Sequence, residues 1–276
     1  MTVTQTNHPP IVLTIAGSDS SGGAGIQADI KTISATGSYA CSVITALTAQ
    51  NTCGVSGVSP VPPEFIAQQL DAVFSDLNII AVKTGMLADA AVIRTVAAKL
   101  KQYRPPYLVI DPVMVATSGD PLLAQNAVTT LKQELLPLAD VITPNLPEAA
   151  ALLQTQQPKN LHEMNALAGK LRTLGAGAVL LKGGHLTKDN ESSDLLILPE
   201  ESRLLSGVRV QTRNTHGTGC TLSSAIASYL AQGDSLPEAV RRAKRYISKA
   251  LQHADELKTG RGHGPVHHFF AGHWEI

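Results

Sequence analysis

Ile11-Val12-Leu13-Thr14-Ile15-Ala16, then Gly17-Ser18-Asp19-Ser20-Ser21-Gly22-Gly23-Ala24-Gly25, then an apolar stripe at Ile26, Ile30 and Ile33 that stops near Gly37, form the unit from which the fold follows. The short apolar run is a strand buried on both faces, the glycine-rich stretch a loop, and the stripe at helical spacing a helix. The alternation recurs: residues 79–82 precede a helical pattern through Val92, Ile93, Val96 and Leu100, and residues 107–110, 141–143 and 178–181 are further apolar strands. Strands alternating with helices predict a layered α/β fold, a mostly parallel central sheet with helices on both faces. Two regions depart from the rhythm. Residues 41–47 and 55–61 flank the polar stretch Thr48-Ala49-Gln50-Asn51-Thr52-Cys53-Gly54, and residues 194–198 with 208–210 form a late antiparallel pair. Ser235-Leu236-Pro237-Glu238 predicts a capping box opening a helix of about 20 residues.

Composition narrows the partners. Lys and Arg number 22, as do Asp and Glu, so the basic footprint of a nucleic-acid or polybasic membrane binder is missing and a small molecule is expected instead. No apolar run reaches the roughly 18 residues that span a bilayer, and the polar first ten residues, expected to be flexible, lack a signal-peptide pattern. A cytosolic protein with one domain over residues 1–276 is expected, since no linker divides the chain. Cys41, Cys53 and Cys220 have neither paired nor metal-ligand spacing, which argues against disulfides and structural zinc.

In open parallel sheets ligands bind beyond the carboxyl ends of the strands. Besides the first glycine-rich loop, those ends carry Lys83-Thr84-Gly85-Met86, Asp111-Pro112-Val113-Met114, Pro144-Asn145-Leu146-Pro147-Glu148 and Lys182-Gly183-Gly184-His185. The first loop lacks the spacing of a P-loop or a dinucleotide fingerprint; close approach to a substrate and a plain mobile turn both suit it. Asn145 and Glu148, three residues apart at a helix start, suit a hydrated Mg²⁺ beside phosphates and equally a helix cap. Asp111 at a strand end needs a cation or donors, because an unpaired carboxylate is costly near an apolar sheet. Lys182 offers a cation to a phosphoryl group, with a solvated surface lysine as the alternative.

Asn214-Thr215-His216-Gly217-Thr218-Gly219-Cys220-Thr221-Leu222 leads into a helix whose stripe runs through Leu222, Ala225, Ile226, Tyr229 and Leu230, with Gly233 as its stop. Backbone N–H groups without intrahelical partners and the positive end of the helix dipole make such a start an anion site. An ordinary loop-to-helix junction with a buried cysteine fits this segment as well. The histidines at 263, 267 and 268 lie on an extended segment and are not expected to converge on a metal; Phe269, Phe270 and Trp274 are expected to dock the tail.

Taken in order, AGSDSSGGAGIQADIKT, VITALTAQNT, KTGML, IDPVM with SGDPLL, TPNLPEAA, LLKGGH, NTHGTGCTLSSAIA and GPVHHF resemble the ribokinase-like superfamily and, within it, the hydroxymethylpyrimidine/phosphomethylpyrimidine kinase family of thiamine biosynthesis, from about residue 11 to residue 268. The resemblance implies a ribokinase-like three-layer sandwich. It also implies transfer of the ATP γ-phosphoryl group to 4-amino-5-hydroxymethyl-2-methylpyrimidine and then to its monophosphate. Gln50 would bind the aminopyrimidine, with Gly17, Asp29, Met86 and Val113 lining its pocket. Gly217, Thr218 and Gly219 would form the anion hole, and Cys220, standing where ribokinase carries an aspartate, would be the general base, its pKa lowered by the helix N-terminus. Lys182, Asn145 and Thr215 would bind ATP, Glu148 and Asp111 would hold Mg²⁺ mostly through water, and a homodimer is implied. Pyridoxal kinase of the same superfamily and a non-catalytic pyrimidine-binding sensor are the alternatives.

Overall fold

The computed structural model describes residues 8–114, 127–184, 186 and 191–272. The SGDPLL segment, His185, Trp274 and residues 1–7 of the stretch expected to be flexible lie outside the described residues. Nine strands form one sheet in the order β3-β2-β1-β4-β5-β6-β7-β8-β9. They are β1 (Ile11–Asp19), β2 (Tyr39–Asn51), β3 (Gly54–Pro60), β4 (Ile79–Thr84), β5 (Tyr107–Ile110), β6 (Val141–Ile142), β7 (Val179–Leu181), β8 (Asp194–Ile197) and β9 (Ser202–Leu205). From β2 to β7 every neighbouring pair is parallel, while β3, β8 and β9 pair antiparallel at the two edges. The helices are α1 (Gly25–Ala35), α2 (Pro63–Asp76), α3 (Ala90–Tyr103), α4 (Ala127–Thr130), α5 (Leu146–Leu153), α6 (Leu161–Ala166), α7 (Ala168–Arg172), α8 (Thr218–Ala231) and α9 (Leu236–Gln252).

The two-residue period of the strands divides the core into two layers. Leu13, Ile15, Val82, Ile110 and Ile142 pack with α2, α3 and α5 through Ile66, Leu70, Val92, Ile93 and Leu146. Val12, Ala81, Val109, Val141 and Leu180 pack with α1, α8 and α9 through Ile33, Leu222, Ile226, Val240 and Ile247. This is the expected three-layer sandwich with a mostly parallel sheet. No helix among the described residues is long and apolar enough to cross a membrane.

Three local expectations are corrected. The partner of β8 is Ser202–Leu205 rather than residues 208–210: Leu198 N–H donates to the Glu201 carbonyl at 2.8 Å, reversing the chain at once, and Val208 makes only an isolated bridge to Glu191. β2 continues through the polar stretch to Asn51, because Gln50 and Asn51 pair with Val55 and Gly54 of β3. Helix α9 has 17 residues, and Ser235 does not cap it with its side chain; Glu238 turns outward to Arg241, which donates to it through Nε at 2.8 Å.

Candidate active site

The strands β1, β4, β5, β6 and β7 end on one side of the sheet, and there a cavity of about 1090 Å³ opens. Gly17, Gln50, Met86, Asp111, Val113, Asn145, Glu148, Lys182, Thr215, Gly217, Thr218, Gly219 and Cys220 all line it. Of the expected site residues only Asp29 does not. Asp29 is wholly buried on α1, where its carboxylate is fully occupied: Lys83 Nζ lies 2.8 Å from both oxygens, and Thr14 and Ser224 each donate to it at 2.6 Å. It sits beneath the cavity as structure, because a carboxylate on the apolar face of a helix needs a counter-charge.

The segment before α8 is built by close backbone approach. Gly217 caps the helix with φ 78°, and a Cβ there would stand 1.9 Å from the Gly23 carbonyl oxygen. The two glycine loops are therefore in direct contact, which neither loop's sequence reveals by itself. A further tie joins them: His216 Nε2 lies 2.8 Å from Asp19 Oδ2 and 3.4 Å from Gln50 Nε2. Asp19 also accepts from the Ser21, Gly23 and Ala24 amides at 2.8–3.0 Å. Burial opposes its charge, but the bonds from His216, Ser21 and Ala24 hold Asp19 far below the usual carboxylate range. Asp19 and His216 were not singled out from the sequence, although Asp19 satisfies the same test as Asp111, a carboxylate at the end of a buried strand.

Fewer amides are free for an anion than expected. Both Thr218 donors turn back to the Thr215 carbonyl, the amide at 3.2 Å and Oγ1 at 2.6 Å, so this amide is already engaged. The amides of Gly219 and Cys220 lie in the first turn of α8, where no intrahelical acceptor exists. Gly219 faces the charged end of the cavity, since a Cβ on it would lie 3.4 Å from both Asp111 Oδ2 and Lys182 Nζ.

At that end Lys182 Nζ is 2.9 Å from Asp111 Oδ1 and 3.9 Å from Glu148 Oε2; it is not a solvated surface lysine. Burial would lower its pKa, but Asp111 and then Glu148 raise it. Burial likewise opposes the Asp111 charge, and Lys182 and then Lys83 hold its carboxyl below the ordinary value. Glu148 is pushed up to about 7, by burial first, with Lys182 pulling it down and Asp111 pushing it up. The capping reading of Asn145 and Glu148 also holds: Asn145 Oδ1 accepts from the Glu148 amide at 2.8 Å, and Glu148 Oε2 accepts from the Asn145 amide at 2.7 Å. The cap aims the side chains; the cavity gives them something to face.

Glu148 carries a pH-dependent cost. Its folded value of about 7 exceeds its ordinary value of 4.5, so the folded chain binds more protons than the unfolded one between these limits. The ionised carboxylate therefore destabilises the fold increasingly as pH rises from about 4.5 to about 7, and uniformly above. Glu148→Gln, neutral throughout, is expected to raise the melting temperature of the metal-free protein relative to the unsubstituted chain more at pH 8 than at pH 5. Thermal melts at the two pH values check this, and a larger gain at pH 5 would contradict it.

The expected direction of the Cys220 pKa is also corrected. Burial pushes its thiol up to about 11, with Lys83 working downward, Asp29 and Asp111 upward, and the Gly25 amide downward. The helix start alone does not make a thiolate.

The sequence pattern of the phosphomethylpyrimidine kinase family matches residues 19–267. This chain belongs to that family. A hydroxymethylpyrimidine/phosphomethylpyrimidine kinase of Salmonella typhimurium is 53% identical over 259 residues, 94% of this chain and 97% of that one. Among solved structures, a Bacillus subtilis pyridoxal kinase in an ADP complex superposes with a TM-score of 0.87 at 36% identity, covering 94% of this chain and 97% of that one. A phosphomethylpyrimidine kinase of Clostridium difficile does so with a TM-score of 0.78 at 45% identity, covering 88% and 99%. The fold is thus ribokinase-like, and the chain is a phosphotransferase.

Proposed function

We propose that this phosphotransferase moves the γ-phosphoryl group of ATP to the hydroxymethyl group of 4-amino-5-hydroxymethyl-2-methylpyrimidine, and then a second one to the resulting monophosphate, serving thiamine biosynthesis. The observation that carries the reading is the span of one loop. His216 lies 3.4 Å from Gln50, while Gly219, three residues on, faces Asp111 and Lys182, so acceptor and phosphoryl groups would meet over Cys220. The Gln50 amide offers a donor and an acceptor to the edge of a heterocycle, and Met86 with Val113 gives its ring apolar contact. Gly17 leaves room for this: a Cβ there would lie 2.4 Å from Met86 Cε.

The Gly217, Gly219 and Cys220 amides would stabilise negative charge on the phosphoryl oxygens, with Thr218 and Thr215 holding the shape of that turn. Lys182 and Asn145 would contact the ATP phosphates. Among the described residues no cluster of three or more His, Cys, Asp or Glu makes a metal cage. The two hard carboxylates of Asp111 and Glu148 beside Lys182 nevertheless suit Mg²⁺, which keeps most of its waters and is held by one or two carboxylates together with substrate phosphates. When bound, that ion would neutralise phosphate charge. Cys220 Sγ would accept the hydroxyl proton in the first transfer; in the second, a phosphate oxygen attacks and needs no strong base.

The reading includes a cytosolic enzyme forming a single domain over residues 1–276 and a homodimer, in keeping with exposed Leu47, Val58 and Phe65 on β2, β3 and α2. Product analysis tests the chemistry. With ATP and Mg²⁺ the pyrimidine should yield monophosphate and then diphosphate, and its kcat/KM should exceed that of pyridoxal. A higher value for pyridoxal would transfer the assignment to pyridoxal kinase, and no ADP release would favour a sensor.

A further inference from the structure

Beneath the cavity lies an ion pair that the proposed chemistry does not use. Lys83 of β4 is the largest wholly buried side chain among the described residues, and it and Asp29 are both 0% exposed. A buried ion pair gains little over an apolar pair of similar volume, so stability gives weak reason for placing one here. Its position gives a better reason. A Cβ on Gly85, which lines the cavity, would lie 3.0 Å from Lys83 Nζ, so the ammonium lies against backbone that lines the cavity. Ser224, which donates to Asp29 at 2.6 Å, is one turn beyond Cys220 on the same face of α8. The helix that carries the thiol thus also grips the acid that clamps the lysine.

We propose that Lys83 is a positioning residue for the first phosphoryl transfer, a fixed ammonium held by Asp29 beneath Gly85 that stabilises negative charge on the Cys220 sulfur. The inference rests on Cys220 being the proton acceptor. Cys220 releases its proton to solvent and the thiolate takes the hydroxyl proton, re-forming S–H. The hydroxyl oxygen bonds to the γ-phosphorus and ADP leaves with the electron pair of the broken P–O bond. The charges that act on the sulfur are Lys83 on β4, Asp29 on α1, Asp111 after β5 and Lys182 after β7, together with the Gly25 amide at the start of α1. Burial alone would lower the Lys83 pKa, but Asp29, then Cys220 and Asp111, hold it above the ordinary value, so the ammonium persists at any pH at which the enzyme works.

The test is the rate of iodoacetamide alkylation of Cys220 from pH 6 to pH 10, read on its own peptide so that Cys41 and Cys53 do not contribute. Asp29→Asn removes the carboxylate that pushes the thiol up, while Cys220 and Asp111 still favour the Lys83 charge, and should speed alkylation at pH 8 by about tenfold, the effect of one pKa unit. Lys83→Met should slow it by about as much. The double variant Asp29→Asn/Lys83→Met leaves no unpaired buried charge; it should react more slowly than the unsubstituted protein but faster than Lys83→Met, and should lower kcat of the first transfer while pyrimidine Kd is kept. A role confined to stability would not move the two single variants in opposite directions. Equal alkylation rates in the folded double variant and the unsubstituted protein would overturn the inference alone. A near-unsubstituted kcat for Cys220→Ala would overturn it together with the reading of Cys220 as base.

Discussion

Cys220→Ala is expected to lower kcat for the first phosphorylation by about 100-fold or more, the low end of what loss of a general base costs, with pyrimidine Kd nearly unchanged. The methyl keeps the helix start and its amides, so binding and the anion hole persist while the proton loses its acceptor. The thiol value of about 11 adds a second signature. Below its pKa the thiolate fraction grows about tenfold per pH unit, so kcat of the first step should climb between pH 7 and pH 9 in the unsubstituted enzyme, and the alanine variant should lose that climb. The second phosphorylation should fall less, because its nucleophile is already an anion near neutral pH. Initial rates of monophosphate and diphosphate formation at several pH values check all three points. A first-step rate near that of the unsubstituted enzyme, or a climb that survives the substitution, would remove Cys220 as the base.

The parts of the fold that rest on periodicity were legible in the sequence. Residues 11–16 and 79–82 are apolar on both faces because helices cover both sides of the sheet, and the stripes after them match α1 and α3. The lining of the cavity was legible as a rim, since the ends of parallel strands open on one side of the sheet. What escaped was contact between distant segments. β9 has no apolar alternation because most of it is exposed, so only the tight turn at 198–201 places it. The sequence pattern puts Lys83 on the rim, whereas β4 runs on to Thr84 and buries it. A readable signal existed: a lysine continuing an apolar strand and an aspartate beside Ile26 and Ile33 on an apolar helix face each need a partner, and each supplies the other's. The Asp19–His216 tie was signalled on one side only: a carboxylate at the end of a buried strand needs a partner, but nothing local points to His216, 197 positions on.

The meeting of the two glycine loops gives the other large effect. Gly217→Ala is expected to lower kcat/KM by at least about 100-fold in both phosphorylations. Two costs act together. An L-residue at φ 78° is strained by roughly 1–2 kcal/mol, and the new methyl would lie 1.9 Å from the Gly23 oxygen and 2.9 Å from its carbonyl carbon, where only backbone can yield. The loops must part, drawing the Gly217 and Gly219 amides away from the phosphoryl oxygens, and a displacement of about 1 Å in a catalytic group costs about 100-fold. Because one anion hole would serve both transfers in the proposed chemistry, both should fall alike, unlike the asymmetric loss in Cys220→Ala. Gly233→Ala separates the two costs: its φ is 95° and nothing lies within 4 Å of the added methyl, so it bears backbone strain without the clash. It should lower the melting temperature while leaving kcat/KM within about threefold, inside the scatter of ordinary surface changes. If Gly217→Ala behaves like Gly233→Ala in both steps, the contact between the loops does not position the hole.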